Sequence, residues 1–234
     1  MTIKIKKKNI SKTQKENLEE IFDKADHKRS YQSAIKKFEV LEKRCVFNSE
    51  TKLKLGLLYD HRAMQLRGAV LLQKKDGVFH IDREQAKNLL SKARLLYTTI
   101  TKQEKNNLFI SLAFHGLARI ESELNHHKKA IYYETQAYTY MQKVPKKQRD
   151  VLAIGNTFLL AKQYKQSERW FLKELHDFGM SHIGVVANIL IFYEARKMFT
   201  KALPYAHQLK FLLKKSGYNT EMKGKKNRTL EILL

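Results

Sequence analysis

Cysteine occurs once in the 234 residues, at Cys45. No internal disulfide can form, which suits a reducing compartment. Cys45 ends an apolar stretch that begins at Phe38, with no activating base beside it, and reads as a small buried thiol. Proline occurs twice and glycine nine times, so collagen-like and low-complexity disordered chains are excluded. Long apolar runs are missing. The longest, around Val185 to Tyr193, falls far short of the roughly 20 residues that span a bilayer. The basic start, Met1 to Lys8, meets Lys12, Lys15 and Glu16 before any apolar region, so a signal peptide is not expected. A soluble, cytoplasmic protein is the expectation.

Catalytic signatures are also missing. Neither G-x-G-x-x-G nor G-x-x-x-x-G-K-[ST] occurs, and there is no H-E-x-x-H. The nine histidines are scattered; His126-His127 and the pair His176 and His182 fall in turns and read as solvated or capping groups. No nucleophile elbow places a serine with a histidine and an aspartate. The chain reads as non-catalytic, with no metal or cofactor.

Acids are scarce: 23 against 46 basic residues, a formal net charge of +23. Such a balance suits nucleic acid, an anionic surface or an acidic protein partner. The basic residues are 35 lysines and 11 arginines. Arginine is the residue that reads phosphate and base edges bidentately, and it is the minority here. The charge concentrates at Lys4 to Lys15, Lys143 to Arg149 and Lys223 to Arg228, a pattern of tails and hairpin ends.

What the chain does have is helical periodicity almost throughout. Leu18, Ile21, Phe22 and Ala25 share one helix face, and Ala34, Ile35, Phe38 and Leu41 share the next. A short polar break, His27 to Ser30, separates them, so the pair reads as an αα-hairpin. The arrangement then returns. Ala130, Ser167 and Ala202 open successive second helices and stand 37 and 35 residues apart. A period in the mid-thirties built from paired helices marks a repeat architecture. Glu50 to Lys75 reads as one long helix, followed by a loop from Asp76 to Asp82 and a partner helix opened by Ala86, Leu90 and Ala93. One repeat with an extended hairpin fits this stretch; two degenerate repeats are the rival reading.

Val151-x2-Ile154-Gly155-x2-Phe158, then Tyr164, then Ser167-x3-Phe171 follow the pattern W-x2-L-G-x2-Y, A-x3-F. Leu55-Gly56-x2-Tyr59 matches its L-G-x2-Y core and Ala34-x3-Phe38 its A-x3-F core, with Ala202-x3-Ala206 weaker. On these residues the chain, over roughly residues 14–215, resembles the tetratricopeptide repeat family. Small residues recur where one helix must receive an aromatic ring from its neighbour. Ala130-x3-Glu134 departs from the pattern, and Tyr133 is expected to fill that space. The resemblance implies an all-α, right-handed superhelical solenoid of about five antiparallel hairpins with a C-terminal capping helix. The expected division is a basic tail over 1–13, the repeats over 14–215, and a capping helix with basic tail over 216–234.

The resemblance further implies a concave binding groove lined by first helices. First-helix residues off the packing stripe are then the candidates: His115, Arg119 and Glu123; Arg149, Leu152, Asn156 and Leu159; Asn188, Ile191 and Glu194, beside Ala187. Asn156 and Asn188 match the two asparagine offsets of carboxylate-clamp members, but Leu152 stands where a lysine should, so contact with a peptide backbone is the better reading. Glu16, Glu19, Glu20, Asp23 and Asp26 crowd the first helix as an acidic groove entrance, and they also complement that helix's dipole. Tyr132, Tyr133, Tyr138 and Tyr140 crowd one helix, so some face outward. The function expected is a protein-interaction scaffold holding a partner segment in the groove. The alternative is non-specific RNA or other nucleic-acid association through lysine-rich edges and tails; Arg119, Asn156 and Ile191 hold equivalent places without a recurrent base-reading residue. A peptide-sensing regulator is a third reading, and would need an output domain.

Overall fold

The computed structural model describes residues 8–28, 30–67, 82–149, 152 and 154–216, apart from the side chain of Asp26. The capping helix and the basic residues Lys223 to Arg228, expected beyond 216, lie outside them, as do residues 76–81 of the expected loop.

Two short strands and ten α-helices are described. In chain order they are β1 (Lys8–Asn9), α1 (Lys12–Lys28), α2 (Tyr31–Arg44), β2 (Cys45–Val46), α3 (Ser49–Leu66), α4 (Arg83–Gln103), α5 (Asn107–Glu123), α6 (His127–Met141), α7 (Ile154–Leu160), α8 (Tyr164–Phe178), α9 (Ile183–Ala195) and α10 (Phe199–Lys215). The protein is all-helical in class. Each odd helix packs on the even helix that follows it, giving five hairpins. Each even helix also touches the next odd one, and consecutive odd helices touch each other: α1 with α3, α3 with α5, α5 with α7, α7 with α9. We call the odd helices first helices and the even ones second helices.

The chain entry is built locally. Ser11 accepts from the Gln14 N–H at 3.2 Å while Gln14 Oε1 accepts from the Ser11 N–H at 2.9 Å, a reciprocal capping box that starts α1 inside the stretch expected as tail. β1 pairs parallel with β2, Lys8 opposite Cys45 and Asn9 opposite Val46. Asn48, Asp82 and Asn106 cap α3, α4 and α5 through their side-chain oxygens. α3 ends at Leu66, with Arg67 as its C-cap; residues 68–75 of the expected long helix lie outside the described residues.

Three hairpins turn identically. Asn125, Lys162 and Lys197 adopt left-handed backbone with φ of 60°, 57° and 54°. Behind each, the next N–H reaches back five residues: His126 to Glu121 O, Gln163 to Phe158 O, Met198 to Tyr193 O. The residue itself bonds three back, to Ser122, Leu159 and Glu194. These are Schellman turns, which satisfy orphan carbonyls and reverse the chain. Their spacing of 37 and 35 residues is the spacing of the small residues. Ser30 N bonds Ala25 O in the first hairpin across the same interval.

The core runs along the stack in three clusters. One joins α1 to α5 around Phe38, Leu58 and Tyr97; the second joins α6 to α7 around Met141, Leu152 and Phe158; the third joins α8 to α10 around Phe171, Ile189 and Phe192. Glycines sit where aromatics arrive. A Cβ on Gly56 would lie 2.6 Å from the Tyr97 ring, one on Gly116 would meet the same ring, and one on Gly155 would lie 2.6 Å from Phe171. Ser167 Oγ donates to Gly155 O at 2.8 Å and ties the two helices at that point.

Pro204 sits one turn deeper in α10 than a first-turn position. It cannot donate to the Thr200 carbonyl, but both residues are exposed, so water can serve that group. Among the described residues, no helix is long and apolar enough to cross a membrane.

Candidate functional site

The polar groups of the first helices gather where α3, α5, α6 and α7 meet. α5 presents His115, Arg119 and Glu123 at spacings of four, one above another on a single face. Arg119 Nη2 lies 3.1 Å from Asp60 Oδ2 on α3 and also approaches Met64 Sδ at 3.5 Å. Asp60 is fully buried. Burial pushes its carboxyl above the ordinary range, against the pull of Arg119. Beside it, burial and the Asp60 charge push the enclosed Tyr97 phenol well up. Glu123 pairs with Arg67 at 3.3 Å.

His115 faces the other way along the strip. Its Nδ1 lies 2.8 and 3.1 Å from the two oxygens of Glu134, which is 1% exposed on α6. Thr157 Oγ1 on α7 donates to the same carboxylate at 3.2 Å. Burial pulls the imidazole pKa down, but the Glu134 charge and hydrogen bond outweigh it and the net displacement is upward. Hairpins three and four are therefore joined through one carboxylate. Glu134, not Tyr133, is the buried residue four beyond Ala130; Tyr133 stacks on Phe114 at 6.1 Å instead.

The remaining candidates separate. Leu152 is buried in the core, 3% exposed, against Met141 and Ile154. Arg149 holds the connection before α7, donating to Val144 O at 2.9 Å and to Gln142 O and Oε1. Both precede α7, which starts at Ile154, so neither belongs to a first helix as the repeat offsets implied. They border a cleft of about 270 Å³ between α6 and α8, with Tyr138 and Glu174. The turns keep the register: Arg119, Asn156 and Ile191 each stand six residues before the left-handed residue of their hairpin, Asn125, Lys162 and Lys197, and so hold equivalent places.

Asn156 and Leu159 on α7 and Asn188 and Glu194 on α9 are half-buried, and Ile191 is 51% exposed. Leu159 leans on the third core cluster. Burial raises the Glu194 carboxyl. The amides of Asn156 and Asn188 make no side-chain hydrogen bond among the described residues.

The acids of α1 do not form one surface. Glu19 reaches α3 and takes Lys54 at 2.7 Å, which lowers its pKa. Glu20 pairs with Lys24 and borders a separate cleft between α1 and α2. Glu16 stands 3.9 Å from Lys12, and Asp23 is exposed. The Asp26 side chain lies outside the described residues. Of the tyrosines on α6, Tyr132 is exposed and Tyr138 and Tyr140 are half-buried. Lysines cover two of those rings: Lys173 lies 4.5 Å above Tyr138 and Lys143 lies 4.7 Å above Tyr140.

Asp60, Met64, Glu134 and Thr157 belong to the polar strip and were not candidates. Glu134 carried a signal in the broken A-x3-F pattern; Asp60 carried one as a lone acid after the apolar run Leu55 to Tyr59. Among the described residues, no three His, Cys, Asp or Glu side chains converge as a metal site requires. Comparison with family models, curated proteins and solved structures found no match for this chain.

Proposed function

We propose that this chain is a non-catalytic interaction scaffold, a right-handed superhelical stack of tetratricopeptide-like hairpins that holds a segment of a partner protein along its first helices. The recurrent Schellman turns and the contacts between consecutive first helices support the architecture. The observation that carries the binding reading is the pair of amides at Asn156 and Asn188. They lie on adjacent first helices, half-buried and without side-chain hydrogen bonds among the described residues. An amide offers both a donor and an acceptor, which is what an extended peptide backbone needs. His115 and Arg119 extend the same face with charge, and exposed Ile191 adds an apolar contact.

The test is affinity purification of the full chain with and without nuclease, repeated with N156A/N188A. Association that survives nuclease and is lost in the double variant, with an unchanged melting temperature, supports the scaffold. Partners that bind the double variant unchanged sink the groove assignment. Association abolished by nuclease favours the rival reading, non-specific nucleic-acid binding through the lysines.

A further inference from the structure

Exposed basic charge stands on α1 and on the second helices. On the five second helices, Glu84 is the one exposed acid. Their other acids are half-buried or buried and engaged: Glu39 with Lys92 and Tyr59, Glu134 with His115, Glu168 with Tyr193 and Lys201. Exposed lysines and arginines stand on every second helix. The last of these helices, α10, goes further. Its sequence, FTKALPYAHQLKFLLKK, contains no acid at all.

α10 also exposes large apolar side chains. Phe199 is 51% exposed, Leu203 42% and Phe211 59%. Its buried side is occupied by Ala202, Ala206 and Leu212 against the terminal core. At about 3.6 residues per turn, Phe199, Leu203, His207, Lys210, Phe211 and Lys214 fall within roughly a third of the circumference on the other side. Apolar groups and lysines therefore interleave on one strip. A basic face with interspersed large apolar side chains is the composition of an interfacial helix.

Complementarity decides what fits this strip. A second copy would bring the same lysines against Lys210 and Lys214. The chain's own residues 217–234 end in the apolar run Leu230 to Leu234, which answers Phe199, Leu203 and Phe211, but with Lys223, Lys225, Lys226 and Arg228 against Glu221 and Glu231 they are net basic and leave Lys210 and Lys214 unanswered. A nucleic-acid backbone answers the charge but gives Phe199, Leu203 and Phe211 no apolar phase to enter. We propose that α10 docks on an anionic lipid surface, its lysines at the headgroups and Phe199, Leu203 and Phe211 at the acyl boundary. The docked face is separate from Asn156 and Asn188, so the scaffold reading and this one can fail independently.

The experiment is co-sedimentation of the full chain with phosphatidylcholine vesicles, with and without phosphatidylserine. The protein should pellet with the phosphatidylserine vesicles and stay in solution with phosphatidylcholine alone. Two double variants follow, L203E/F211E and K210E/K214E, each checked by circular dichroism and melting. These positions are exposed, so both should fold. Each should weaken partition at least about tenfold. Failure of the native chain to pellet with either vesicle overturns the proposal. Loss in K210E/K214E with no change in L203E/F211E also overturns it, because charge alone then suffices, as it would for nucleic acid. A lipid-free dimer in sedimentation velocity that L203E/F211E dissociates assigns the strip to a second copy instead.

Discussion

The His115 imidazole stands 2.8 Å from the Glu134 carboxylate, in the position along α6 where Phe38 and Phe171 stand in their own helices. A buried ion pair thus occupies a place that other hairpins fill with an aromatic ring. Thr157 on α7 shares the carboxylate, so the pair also joins hairpin three to hairpin four.

Because the folded-state pKa of His115 is raised, folding favours the protonated imidazole. Its contribution is complete below the unfolded value, about 6.5, and is lost as pH rises through the higher folded value. Melting temperature should fall as pH is raised from about 6 to about 8.5, and fall less in H115Q/E134Q. A double variant with the native slope would assign the pH dependence elsewhere. His115→Ala alone leaves a buried carboxylate with Thr157 as its remaining partner. It should cost about 3 kcal/mol, the low end for a broken pair because the imidazole is 24% exposed.

Gly56 and Gly116 flank one ring, so each is expected to resist even a methyl group. Gly116→Ala should destabilise by about 1–3 kcal/mol, as overpacking of a rigid core does, despite alanine's better helix propensity. Tyr97→Leu should relieve part of that cost when combined with it. Urea denaturation of the four-member cycle measures the coupling; strict additivity would mean that Tyr97 does not meet Gly116.

Lys162 and Lys197 hold left-handed backbone at the Schellman positions, where glycine carries no steric penalty. Lys162→Gly and Lys197→Gly should each stabilise by roughly 1 kcal/mol. The turns lie in different hairpins, so the two gains should add in chemical denaturation. A loss on either substitution would contradict the turn geometry.

Leu152 distinguishes core from groove. Leu152→Ala should cost about 2–5 kcal/mol, as truncation of a buried leucine does. Asn156→Ala should change stability by no more than about 0.5 kcal/mol, since its amide makes no side-chain hydrogen bond among the described residues. Thermal melts of the two single variants separate these outcomes directly.

The hairpins were legible because their signals are local. Helical spacing of Leu18, Ile21 and Phe22 names a buried face, and Ala130, Ser167 and Ala202 mark a period, without knowledge of any distant contact. Gly56 and Gly155 were readable as close approaches for the same reason. The first-helix offsets failed where local spacing was a poor guide. Arg149 and Leu152 lie outside α7: Arg149 turns back to carbonyls of the preceding connection and Leu152 drops into the core.

The sequence by itself determined an all-helical chain, the mid-thirties period, the single thiol and a large positive charge. Periodicity and composition suffice for each. Only the tertiary structure decided which charges are spent and which stay exposed. Burial depends on neighbours far apart in the chain: it pairs Asp60 with Arg119 across 59 residues and Glu19 with Lys54 across 35. The same packing leaves the lysines of α10 facing solvent among exposed apolar side chains. A composition of 46 bases and 23 acids cannot say which of them meet, because that depends on which helices lie side by side.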